Sequence, residues 1–155
     1  VEAYRICLAK YADALVASGY PARWNRKGQL VIYAASSRAL ACLENVVHRS
    51  GEGLNDMFKV VRISFPDTLA VEELTLAELP ADWQLPQHYA LCQPLGAAWY
   101  ERQTAAVLRV PSSIIAHEFN YVFNTRHPDF AQVHIAGRED FVFDPRIKDS
   151  DPNAG

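Results

Sequence analysis

One carboxylate stands out in the first third of this sequence. Glu44 is the only acid between Asp13 and Glu52. It lies in Arg-Ala-Leu-Ala-Cys-Leu-Glu-Asn-Val-Val, a run whose apolar residues recur at helical spacing. With Leu40 at zero and about 100 degrees per residue, Leu40, Leu43 and Val47 share one face, and Glu44 falls about 40 degrees away at its border. A carboxylate there needs a cation or hydrogen-bond donors, because burying it unpaired is costly. Upstream, Tyr20-Pro21-Ala22-Arg23-Trp24-Asn25 is rich in turn formers. An arginine in such a loop offers a planar fork suited to phosphate, with Trp24 as a candidate pocket wall. Tyr33 follows with an aromatic face for stacking and a hydroxyl donor. Each residue also has an ordinary reading: an edge ion pair for Glu44, a surface arginine for Arg23, a core tyrosine for Tyr33.

Other chemistry is poorly supported. Gly51-Glu52-Gly53 does not continue as a dinucleotide-binding glycine fingerprint, and no phosphate-binding P-loop is present. His117-Glu118 lacks the second histidine of a zinc-protease helix. Cys7, Cys42 and Cys92 lie in apolar runs without the close spacing of a zinc site, so they read as small core residues and no metal is expected. No GxSxG elbow supports a serine nucleophile. Trp83 and Trp99 read as packing residues.

The elements that must position these groups alternate along the chain. Strands are expected over Glu2–Leu8, 29–35, 58–65, 71–76, 106–110, 120–123, 131–135 and 141–143. Residues 11–18 read as a short helix or an irregular turn ended by Gly19. A helix over 38–49 has N-cap candidates in Ser36 and Ser37. A second, over 91–102, requires Pro94 in its first turn. Strands outnumber helices, which predicts an α+β fold, a compact mixed β-sheet with packed helices.

The 155 residues are half apolar and 21% charged, enough for one domain with a sizeable core, spanning 1–155, and too hydrophobic for disorder. No apolar run reaches the roughly 18 residues of a membrane span. No signal peptide is visible and the odd cysteine count suits reduced thiols, so a cytoplasmic location is expected. The net charge of -3 divides into +4 over residues 1–50 and -7 over 51–155. A basic third on an acidic body favours a local anionic ligand over a wrapped nucleic acid.

Taken in order, the motifs resemble a known family. Tyr4-Arg5-Ile6, Arg23-Trp24-Asn25 with Lys27-Gly28, then Val31 to Ser37, and Ala41-Cys42-Leu43-Glu44 come first. Leu108-Arg109-Val110-Pro111-Ser112-Ser113, Asn120 to Asn124 and His127-Pro128 follow. Over residues 4–147 the chain resembles the RES-domain toxins of bacterial RES–Xre toxin–antitoxin pairs, named for an arginine, a glutamate and a serine. A departure is Asn124-Thr125-Arg126 before His127-Pro128, where Asn-Pro would be expected.

The resemblance implies an ADP-ribosyltransferase-like core that degrades or uses NAD, with growth arrest as the consequence. It assigns the arginine to Arg23, the glutamate to Glu44 and the serine to Ser112, adds Tyr33 as a catalytic residue, and makes Arg5, Ser36, Ser112 and Asn124 substrate-binding. NAD would be a consumed substrate, with no cofactor. The implied partner is a cognate Xre-type helix-turn-helix antitoxin in a multimeric complex, through which alone DNA would be bound. Two rivals remain at this level. A small metal-independent ribonuclease would use a histidine among His48, His117 and His127 with these residues, against an acidic pI near 5.9. An inactive partner-binding module would bind without turnover.

Overall fold

In the computed structural model, which describes residues 1–48 and 57–147, a seven-stranded mixed sheet carries two helices. The strands are β1 (Glu2–Leu8), β2 (Val31–Ala35), β3 (Phe58–Ser64), β4 (Val71–Glu73), β5 (Val107–Pro111), β6 (Phe119–Asn124) and β7 (His134–Phe141). The helices are α1 (Arg38–His48) and α2 (Tyr89–Arg102). Spatial order is β4-β5-β6-β2-β1-β3-β7, antiparallel throughout except for the parallel pair β4–β5. The expected α+β architecture is therefore present.

Alternation along the central strands buries both sheet faces. One face carries Ile6, Ala35, Phe58 and Val60 against Leu40 and Ala41 of α1. It continues through Val31, Leu108, Val110 and Val122 against Trp24, Trp83, Cys92 and Trp99. The other face buries Ala3, Cys7, Ile32, Val61, Ile63, Val107 and Phe123 beneath Phe65, Leu69 and Val133.

The weak point of the sheet is its middle. β1 pairs with β3 over seven residues and β2 with β6 over five, yet β1 and β2 meet in register only at Tyr4 and Ala35. Beyond that pair the strands part, and Arg5, Ile6, Tyr33 and Ala34 border the resulting opening.

Several expectations need correcting. Of the two forms expected for residues 11–18 the irregular one is present from residue 12 onward, after a 3-10 turn over Ala9–Tyr11. Gln29 and Leu30 precede β2 instead of joining it. The strands expected over 131–135 and 141–143 are one strand, β7, preceded by a 3-10 turn over Pro128–Gln132. As an edge strand β7 alternates half-buried and exposed positions, with ion pairs from Glu139 and Asp140 to Arg38 and Lys59. Pro94 sits inside α2, past the first turn, so the Ala90 carbonyl lacks its helical donor. Ser37, whose side chain accepts from the Leu40 amide, starts α1; Ser36 does not. Arg49 and Gly51-Glu52-Gly53 lie outside the described residues.

The packing face of α1 also differs from its hydrophobic pattern. Leu43 and Val47 are 38% and 58% exposed. Leu40 and Ala41 point inward, and Glu44, Asn45 and His48 line a cavity beside them. The helix is therefore turned so that Glu44 and Asn45 line a hollow, with His48 half-exposed at its edge.

Candidate functional site

The opening between β1 and β2 deepens into a cavity of about 420 Å³, within the usual range for small-molecule sites. Arg5, Arg23, Tyr33 and Glu44 all border it, so the fold brings these four expected site residues to one place. Asn45, His48, Tyr89, Pro111, Ser113 and Asn120 contribute further wall.

Glu44 is the most constrained group. Its Oε1 accepts from Ser112 Oγ at 3.1 Å and from Asn120 Nδ2 at 2.8 Å. His48, one helical turn on, approaches Oε2 at 3.3 Å. Burial opposes ionisation of this carboxyl, but the hydrogen bonds from His48, Asn120 and Ser112 outweigh it and hold the group below the usual glutamate range. Glu44 is thus an ionised carboxylate at neutral pH, part-buried in the cavity wall. Ser112 is buried, and its Oγ also accepts from the Ile114 and Ile115 amides, which fixes the hydroxyl as a donor to Glu44. Ser112 therefore braces the carboxylate, and it is its neighbour Ser113 that lines the cavity.

Tyr33 is held as firmly. Its hydroxyl donates to Asn25 Oδ1 and accepts from the Trp24 amide at 3.3 Å. Burial pushes its ionisation far above the normal tyrosine range, so it serves as a neutral phenol. Asn25, fully buried, is fixed in turn by Nδ2 donating to the Tyr20 carbonyl at 2.9 Å.

The two arginines differ. Arg23 is 7% exposed, and its guanidinium donates to the carbonyls of Trp83 (2.6 Å), Gln84 (3.1 Å) and Leu85 (3.5 Å). The surface-loop reading fails, and a phosphate clamp would have to compete with these carbonyls. Arg5 borders the cavity where β1 leaves β2 and has no hydrogen bond or ion pair with a described residue.

Of the expected substrate-binding residues only Arg5 borders the cavity; Ser112, which braces Glu44, Ser36 and Asn124 do not line it. The Ser36 amide donates to the Phe119 carbonyl, and its side chain is absent from the cavity wall. Asn124 is fully buried at the other end of β6, opposite Val31, with Oδ1 accepting from the Arg126 amide and Nδ2 donating to the Tyr100 carbonyl. Asn120, four residues earlier on the same strand face, occupies the position that touches Glu44. Asn25, Asn45, Tyr89 and Asn120 were not singled out from sequence. For His48, the sequence signal for a place beside Glu44 is their i, i+4 spacing.

Among the described residues, no group of three or more His, Cys, Asp or Glu side chains is placed to hold a metal ion. No helix among them is long and apolar enough to cross a membrane.

Residues 2–144 match the RES domain family. The chain is 38% identical over 127 residues to the Prs ADP-ribosylating toxin of Sphingobium sp. strain YBL2, covering 81% of this chain and 79% of that protein. It is 34% identical over 151 residues to Toxin Res of Yersinia enterocolitica, covering 94% and 98%. Its fold matches a chain of the crystal structure of the M. tuberculosis MbcT–MbcA toxin–antitoxin complex, with a TM-score of 0.72 at 24% identity, over 91% of this chain and 84% of that one. With the family match spanning nearly all of the sequence and the relatives aligned along most of their lengths, this chain belongs to the RES-domain family.

Proposed function

We propose that this protein is the toxin of a type II toxin–antitoxin pair and that it cleaves the nicotinamide–ribose bond of NAD. The observation that carries the reading is the ionised Glu44, held by Ser112, Asn120 and His48 in the wall of a cavity it shares with Tyr33 and Arg5. The name of the Sphingobium relative, an ADP-ribosylating toxin, supports NAD as the substrate.

In that reaction the C1′–N bond breaks with its electron pair leaving on nicotinamide, a neutral ring that needs no proton. Positive charge develops on the ribose. One carboxylate therefore suffices, unlike the paired carboxyls of ordinary glycosidases. Glu44 stabilises the oxocarbenium-like sugar, and a preorganised charge in a partly dry site is effective because it needs no reorganisation. Tyr33, a neutral phenol whose hydroxyl is held by Asn25 and the Trp24 amide, offers its ring face to the nicotinamide half. Arg5, whose guanidinium has no ion-pair partner among the described residues, is offered to the pyrophosphate. A nucleophile then attacks C1′ and loses its proton, giving hydrolysis with water, phosphorolysis with phosphate, or ADP-ribosyl transfer with a protein side chain.

The partner we infer is a cognate antitoxin, supported by the toxin–antitoxin complex that shares this fold and by relatives named as toxins. An Xre-type helix-turn-helix protein in a multimeric, DNA-binding assembly in the cytoplasm is the form proposed for it. Mass analysis of the products from NAD, with and without phosphate, tests the substrate and names the acceptor. Intact NAD after prolonged incubation would refute the reading.

A further inference from the structure

The arginine that gives the family part of its name sits here in an unusual environment. Three consecutive carbonyls, those of Trp83, Gln84 and Leu85, converge on the Arg23 guanidinium. This segment lies between β4 and α2, and its own hydrogen bonds are short-range turns: Trp83 to Pro80, Leu85 to Asp82 and His88 to Leu85. Buried carbonyls need donors. A planar fork supplies several at once, which a lysine cannot copy. No carboxylate pairs with Arg23 among the described residues. Its charge is offset instead by the carbonyl dipoles and by the faces of Tyr89, 4.6 Å from Cζ, and Trp83, 5.8 Å away. Trp83 in turn packs against Trp24, ring to ring at 5.9 Å.

The residue that gains from this arrangement is Tyr89. It opens α2, lines the cavity, and has no hydrogen bond from its hydroxyl to a described residue. Its ring face is taken by Arg23, which leaves its hydroxyl and edge for a ligand.

We propose that Arg23 is a positioning residue: it latches the 83–89 segment, and Tyr89, set in place by it, contacts the substrate. The kinetic arm of the proposal rests on NAD being that substrate; the latch itself does not. Four proteins test it: wild type, Arg23→Lys, Tyr89→Ala and the double variant. Nicotinamide release from NAD gives kcat and KM, and hydrogen exchange of the ligand-free proteins reads the 83–89 amides. Each single variant is expected to raise KM by about tenfold with a smaller change in kcat, and the double variant to be no worse than the poorer single one. Arg23→Lys should speed exchange in 83–89 while β1, β2 and α1 keep their protection. Losses that multiply in the double variant, with exchange unaltered in Arg23→Lys, would overturn the proposal and make Arg23 a direct substrate contact. If the wild-type protein releases no nicotinamide, the NAD reading fails, and exchange alone decides the latch. Should Arg23→Lys not fold, Tyr89→Ala still decides Tyr89's part, since an unchanged KM contradicts it.

Discussion

Asn120→Leu isolates what holds Glu44 ionised. Asn120 gives Nδ2 to Glu44 at 2.8 Å, while its buried Oδ1 has no partner among the described residues. Leucine keeps the approximate volume, removes the donor, and removes the unsatisfied acceptor as well. A hydrogen bond to a charged group contributes about 1.5–3 kcal/mol. The Glu44 side chain is 20% exposed, so the lower end applies. Loss of an unpaired buried acceptor returns about 1–3 kcal/mol, so Tm should scarcely move. The pH behaviour should move. Glu44 is depressed in the folded protein, so its contribution to stability is present above the unfolded glutamate value of about 4.3 and is lost as pH falls through the lower folded value. In Asn120→Leu that window narrows, and the acid limb of NAD cleavage shifts toward neutral. Near pH 7 the carboxylate is ionised in both proteins, so kcat should differ by less than about tenfold there. The assay is nicotinamide release from pH 3.5 to 8, with melts over the same range. Superimposable acid limbs would show that the Asn120 bond does not set the charge of Glu44, and a collapse of Tm would refute the volume argument.

Two further outcomes follow from the same geometry. Arg5→Ala should raise KM for NAD by about tenfold with Tm unchanged, as for loss of one charged contact; unchanged KM would remove Arg5 from substrate binding. Gly96→Ala would place a Cβ 1.9 Å from the Trp24 carbonyl oxygen, too close for α2 to keep its seat. A fall in Tm of about 5 °C or more is expected in thermal denaturation, and an unchanged Tm would contradict the close approach of α2 to the arginine loop.

The elements that the sequence shows best are those with strong burial. β1 and β3 have apolar patterns that survive in the structure, since each faces a packed layer. The sequence shows β7 as two pieces because its centre, Gly-Arg-Glu-Asp, is held by ladder bonds and ion pairs, while Ile135 and Phe141 toward its ends carry the apolar contacts. The rotation of α1 was hidden for a related reason. A helical wheel assumes that polar residues face water, whereas Glu44, Asn45 and His48 face a cavity. Arg23, Tyr33 and Glu44 were legible as chemical types, and the fold brings them to one hollow. The role of Arg23 was not legible, because its partner carbonyls lie some sixty residues away in a segment without a motif. Asn120 and Asn124 share a strand face, and only the register with β2 shows which one reaches Glu44.

The central claim is that the Glu44 carboxylate drives departure of nicotinamide. The direct measurement is nicotinamide release from NAD at pH 7 by wild-type protein and by Glu44→Gln, which keeps the shape and removes the charge. A fall in kcat of about 10²–10³ with the fold intact is predicted. Equal rates in the two proteins would contradict the account.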